Sequence, residues 1–174
     1  MTRAGRDVDG GVPSESLRVL LVVNSFASSV TARNTVVVHR RLSRGHDVEL
    51  VETNRRGHAT RFAYDAARRG LDVVVGFGGD GTLNEVATGI AGSETALGVL
   101  PGGSTNVFAR TIGMPNDPVE AVELLAGGID AGDFRPIGLG KVISKPVLFS
   151  LSNAWAKFRQ VDTLRSHDGA EKEF

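Results

Sequence analysis

The chain predicts an α/β fold, a three-layer open parallel sheet with helices on both faces, followed by the start of a β-rich second domain. Three observations predict it. Runs of strand character begin at Leu17, His46, Leu71 and Ala96, three of them largely apolar, as in strands covered on both faces. Segments of helical periodicity separate them, and strand–helix–strand alternation makes neighbouring strands parallel. From Ile129 the texture changes to short strands with tight turns, the pattern of an antiparallel region.

In order, residues 1–16 lack an apolar signal core and read as a flexible leader. Leu17–Val23 is the first strand, ending in Asn24-Ser25-Phe26-Ala27-Ser28-Ser29. Residues 31–43 make a helix with Val36, Val37 and Leu42 inward and Arg33, Arg40, Arg41 and Arg44 solvated. His46–Thr53 alternates as a second strand. Residues 58–69 carry the stripe Ala59, Phe62, Ala63, Ala66 and Ala67, stopped by Gly70. Leu71–Val75 is the third strand, and Gly76, Gly78, Gly79 and Gly81 follow as a turn. Leu83, Val86, Ala87 and Ile90 then share one helix face, with Gly89 and Gly92 near its end. Ala96–Leu100 is the fourth strand and runs into Pro101-Gly102-Gly103-Ser104-Thr105-Asn106 and a short helix. Asp117-Pro118 opens the last helix with a cap and a proline at the first helical position. Its inward residues are Val119, Val122, Leu125 and Ala126, and Gly127-Gly128 ends it.

Composition narrows the function. The 174 residues carry 20 basic and 20 acidic side chains, so the zero net charge offers no nucleic-acid footprint. Cysteine is absent, which removes disulfides and cysteine metal sites and fits a cytoplasmic protein. No apolar run is long enough for a transmembrane segment.

The chemistry concentrates where the third strand feeds through glycines into a helix. Such a junction aims free N–H groups and a positive dipole end at one spot, which suits a phosphate. Gly76-x-Gly78-x-x-Gly81 also fits a dinucleotide fingerprint. That reading needs an acid after the next strand, where Pro101-Gly102-Gly103 stands instead. Thr82-x-x-Glu85 has the form of a capping box. Capping leaves Asp80 unexplained, an acid inside a loop suited to phosphate. A carboxylate there makes sense if it works through Mg²⁺ or polarises an attacking group.

Gly78-Gly79-Asp80-Gly81-Thr82, continuing as Leu83-Asn84-Glu85-Val86, resembles the signature of the diacylglycerol kinase catalytic domain family. NAD kinases and phosphofructokinases share the shorter core, and Asn84-Glu85 favours the lipid-kinase branch. Further motifs recur in order. Asn24 matches an Asn-Pro motif, with Ser25 in place of the proline and a less rigid loop expected. Thr53 with Gly57-His58-Ala59 matches a second motif, and Gly103, Ser104 and Asn106 match a second glycine-rich one.

The resemblance implies an ATP-dependent lipid kinase that uses ATP and Mg²⁺, with no residue assigned as a metal ligand. Gly78, Gly79, Gly81 and Thr82 would cradle the phosphates, and Asp80 would act as the catalytic residue near the transferring group or its Mg²⁺. Asn24, Thr53, Gly103, Ser104 and Asn106 would help hold the nucleotide, and Glu85 would steady Thr82 and the turn. The acceptor would be a lipid at a membrane surface, met by a cytoplasmic chain peripheral at the inner membrane; a homo-oligomer stays open. Residues 17–128 would be the nucleotide-binding domain and 129–174 an incomplete second domain. After the LFSLS strand the family carries a glycine-rich, acid-bearing turn, where this chain has Asn153-Ala154-Trp155-Ala156-Lys157-Phe158. A nucleotide-binding but catalytically incomplete piece and an NAD kinase are the alternatives.

Overall fold

Side chains along a strand alternate between the two sheet faces, and the first strand shows what this makes of an apolar run. In the computed structural model, which describes residues 16–142 and 148–155, β1 spans Arg18–Val23. Val19, Leu21 and Val23 enter one core, while Leu20 and Val22 enter another. With both faces covered, β1 is central. It pairs in parallel with β2 (Asp47–Glu52) and β3 (Val73–Gly78), and β3 pairs in parallel with β4 (Ala96–Pro101). The sheet order is β2-β1-β3-β4.

Three helices connect these strands, α1 (Ala32–Leu42), α2 (His58–Arg68) and α3 (Asp80–Ile90), and two follow β4, α4 (Val107–Thr111) and α5 (Pro118–Asp130). Val38 and Leu42 of α1 and Ala121, Val122, Ala126 and Ile129 of α5 close one face. Ala59, Ala63 and Ala66 of α2 and Val86 and Ile90 of α3 close the other. The three expected layers are therefore present. A separate antiparallel pair, β5 (Ile137–Val142) and β6 (Leu148–Trp155), follows. The expected leader up to residue 15 and the tail from residue 156 lie outside the described residues. Among the described residues no helix is long and apolar enough to cross a membrane.

Several boundaries differ from the sequence expectations, each for a local reason. β3 does not stop at Val75 but continues through Gly76-Phe77-Gly78, and α3 already begins at Asp80. The expected long glycine turn shrinks to Gly79, and Asp80, Gly81 and Thr82 become the first helical turn. α5 passes through Gly127-Gly128 to Asp130; Gly132, at φ +67°, follows it. Asp117 is its cap as expected, accepting from Val119 and Glu120 N–H through Oδ1. Val36 is 56% exposed, and Val38 takes the inward position instead.

Arg41 is also not solvated. Its side chain is only 17% exposed and donates to Glu123 at 2.7 Å and to Asp130 at 3.4 Å, tying α1 to α5. Asp130 also meets His46 Nε2 at 3.1 Å. Arg41→Met keeps the aliphatic stem but leaves two carboxylates without their shared cation. It is expected to cost about 1–2 kcal/mol, read as a lower urea midpoint with an unchanged slope. An unchanged midpoint would show that the pair is idle.

Candidate active site

Because β1 to β4 run parallel, their carboxyl ends share one edge of the sheet, the edge where open α/β sheets bind ligands. Two glycine pairs close that edge tightly. Gly102 N–H donates to Gly78 O at 2.8 Å, and Ser29 N–H donates to Gly102 O at 2.9 Å. A Cβ on Gly102 would lie 2.7 Å from Gly78 Cα, and one on Gly103 would lie 2.8 Å from Gly79 Cα. None of these glycines has positive φ. Their role is close backbone approach, not left-handed geometry.

Asn24 organises the neighbouring loop. Its backbone N–H donates to Phe77 O at 3.0 Å, and its Nδ2 donates to Thr82 Oγ1 at 3.0 Å. Its Oδ1 accepts from Phe26 N–H at 3.2 Å, and Ser25 Oγ donates to Glu52 at 2.7 Å. Ser25, standing where the resembling motif has proline, thus adds an anchor that proline could not. Thr53 is buried and its N–H donates to Val23 O at 2.8 Å.

A cleft of about 290 Å³ opens beside these groups. Of the residues singled out in the sequence, Asn24, Thr53, Gly81, Thr82 and Glu85 line it. Gly78, Gly79, Asp80, Gly103, Ser104 and Asn106 are not in its lining; they form the adjoining wall of paired glycine loops. Phe26, Arg55 and Arg56 line the cleft as well. Arg55 and Arg56, both exposed, border the cavity because β2 ends one strand away from β3. Phe26 is 80% exposed there, and no periodicity flags a lone loop aromatic.

The two acids of the motif do something the sequence did not suggest. Asp80 accepts from Val107 N–H at 3.0 Å through Oδ2 and from Phe108 N–H at 2.9 Å through Oδ1. Both oxygens cap α4 from outside. Glu85 is five residues into α3, so Thr82-x-x-Glu85 is not a capping box; the N-cap is Gly79. No hydrogen bond joins the Glu85 side chain to Thr82. Its carboxylate instead accepts from Gly57 N–H at 3.0 Å and Ala59 N–H at 3.2 Å, at the start of α2.

Asn106 is 1% exposed, at φ 46° and ψ 48°, a conformation asparagine tolerates better than most residues. Its amide exchanges two hydrogen bonds with Gly103, at 2.8 and 2.7 Å, and reaches Asn116 at 2.9 Å. It shapes the second glycine loop from within. Ser104 is exposed and is not the cap of α4, which is Asn106.

His58 Nε2 accepts from Arg55 Nε at 2.6 Å, while its Nδ1 is buried without a partner. Desolvation, then the Arg55 and Arg61 cations, lowers its pKa below the usual histidine value. The neutral ring is the form able to accept from arginine.

No group of three acidic or histidine side chains converges among the described residues, so they show no all-protein magnesium cage. What the edge offers is the first-turn amide of Gly81, two guanidinium groups and small polar side chains, a set suited to an anionic ligand.

Comparison with known proteins agrees. Residues 18–142 match the family model described as the diacylglycerol kinase catalytic domain. A Klebsiella pneumoniae protein named "Probable lipid kinase YegS-like" is 40% identical over 103 residues, 58% of this chain and 33% of that protein. The Bacillus subtilis diacylglycerol kinase is 39% identical over 101 residues, 56% of this chain and 32% of its own. The crystal structure of a diacylglycerol kinase from Bacillus anthracis superposes with a TM-score of 0.61 at 31% identity, covering 66% of this chain and 41% of that one. The chain thus spans about a third of the length of the curated relatives it matches. The matched region takes in all four parallel strands and every loop of the cleft, so the chain belongs to the diacylglycerol kinase catalytic domain family.

Proposed function

We propose that this chain supplies the nucleotide-holding part of an ATP-dependent lipid kinase, which transfers the γ-phosphoryl group of ATP to a hydroxyl of diacylglycerol or a sphingoid lipid. The observation that carries the reading is the cleft at the carboxyl edge of the sheet, where Asn24, Thr53, Gly81 and Thr82 meet Arg55 and Arg56. The polyphosphate would rest against the first turn of α3 at Gly81, since the next amide, Thr82 N–H, already donates to Gly79 O. No Walker-type lysine is present in the glycine loop, so rate enhancement would come from positioning and charge neutralisation. Magnesium would arrive on the nucleotide's phosphates and water rather than in a protein cage. The β5–β6 pair would begin the second domain, and the lipid would be met at the cytoplasmic membrane surface.

The test is calorimetric titration with ATP, paired with transfer of label from γ-labelled ATP to diacylglycerol vesicles, a sphingoid base or NAD. Binding with label in a lipid is the expected result. Label in NAD, or no ATP binding, would overturn the reading. A second reading is nucleotide binding without transfer; ATP heat with no labelled lipid would support it.

Gly81→Ala separates binding from stability. A Cβ there would meet nothing within 4 Å, and alanine is the better helix former by up to about 1 kcal/mol. The melting temperature is expected to hold or rise, while ATP affinity falls at least about tenfold because the methyl projects into the phosphate space. Unchanged affinity would move the phosphates elsewhere.

A further inference from the structure

Glu85 lies on the wall of the cleft, yet its carboxylate is turned to the backbone of a different helix. The N-cap of α2 is Gly57, which has φ +82° and no side chain with which to cap, and the first turn of α2 contains no acid of its own. Glu85 fills both gaps from α3, accepting from Gly57 N–H and Ala59 N–H. A charged acceptor at a helix N-terminus satisfies orphan donors and complements the dipole.

The consequence reaches the cleft through the loop between β2 and α2. Thr53 fixes the start of that loop by its N–H bond to Val23 O. Gly57 and Ala59 fix its end on Glu85. Between these anchors lie Asn54, Arg55 and Arg56, all exposed and all lining the cleft. The segment's other ties are internal: Arg55 Nε donates to His58 Nε2, and His58 N–H donates to Arg55 O. With exposed side chains that bury little apolar surface, the loop owes its shape to its two ends.

We propose that Glu85 is a positioning residue: by capping α2 from α3 it holds the Arg55–Arg56 wall in place for the nucleotide, without itself touching the ligand. This rests on the kinase reading for the identity of the ligand, and it extends that reading by assigning the motif's glutamate to the opposite wall of the cleft.

The experiment compares the full chain with Glu85→Ala and Glu85→Gln. Each is read by ATP titration and by amide hydrogen exchange at Gly57 and Ala59. The alanine variant is expected to lose protection at both amides and to bind ATP roughly tenfold more weakly, the affinity equivalent of a lost helix cap. Glutamine keeps one acceptor oxygen without the charge and turns its NH₂ toward the second amide, on an exposed loop end that can move to relieve the clash. It is expected to restore protection in part and bring affinity back to within about threefold of wild type. If alanine leaves ATP affinity unchanged while exchange rises, the loop's order is irrelevant to binding and the proposal fails. If glutamine binds as weakly as alanine with its amides protected, the charge acts on the ligand directly and the proposal also fails. A wild-type chain that binds no ATP would overturn the kinase reading and this role with it, and that control distinguishes the two failures. Should the alanine variant not fold, Glu85→Asp, one methylene short of α2, takes its place with the same expectations.

Discussion

Asp80→Asn is expected to abolish phosphoryl transfer in a full-length enzyme of this family that carries the same motif, while the fold stays intact. The reason lies in where the two carboxylate oxygens go. They accept from the consecutive amides of Val107 and Phe108, and hydrogen bonds to a charged group are worth about 1.5–3 kcal/mol each. Asparagine supplies one acceptor and turns an NH₂ toward the other amide, so two donors face one another. The N-terminus of α4 must then shift. That shift drags the second glycine loop, because Asn106 stands at the N-cap position of α4 and its side chain clasps Gly103, and Gly103 packs on Gly79. A displacement of about 1 Å at a reacting centre costs on the order of a hundredfold in rate. Transfer assays should therefore fall by at least that factor, with far-UV circular dichroism unchanged. Wild-type turnover in the asparagine variant would remove Asp80 from the machinery altogether.

How such a clasp could be missed shows what a one-dimensional reading can reach. The strands and helices were legible because burial on both faces of β1 and β3 leaves continuous Val/Leu runs, and the stripes of α2 and α3 keep a helical period. The convergence of Asn24, Thr53 and Gly81–Thr82 on one edge follows from parallel topology alone. The partners of Asp80 and Glu85 do not follow from it. Asp80 finds amides 27 and 28 positions along the chain, and Glu85 finds amides 28 and 26 positions back. Nothing in a backbone amide's local sequence advertises that it waits for a carboxylate from another helix. The capping-box pattern was misleading for the same reason: it describes a helix capping itself, whereas α3 caps its neighbours. Arg41 escaped notice because a basic residue on a helix is ordinarily solvated, and only the arrival of α5 encloses it.

Gly89→Ala is expected to destabilise the chain although helix propensity says the reverse. Gly89 reads in the sequence as a helix-ending glycine, but it lies inside α3 where α2 crosses it. A Cβ at that position would lie 2.4 Å from Thr60 O, 2.7 Å from Ala63 Cβ and 2.9 Å from Tyr64 N. Two of these are backbone atoms, so no rotamer change relieves the contact and the helices must separate. Propensity favours alanine by about 1 kcal/mol; overpacking of a well-filled core typically costs about 1–3 kcal/mol and occasionally more. With the obstacle in the backbone the upper end applies, for a net loss of about 2 kcal/mol and a fall of roughly 4–8 °C in Tm. Glu85 lies four residues earlier on the same face of α3, so separation at Gly89 also lengthens the reach of its carboxylate to Gly57 and Ala59. The variant should therefore lose amide protection at those two positions well below its own Tm, a coupling that a local core defect would not produce. A Gly89→Ala chain with unchanged or higher Tm would mean that α2 and α3 cross less closely than 2.4 Å of Cβ clearance implies, and with it would go the geometry that lets α3 hold the cleft's outer wall.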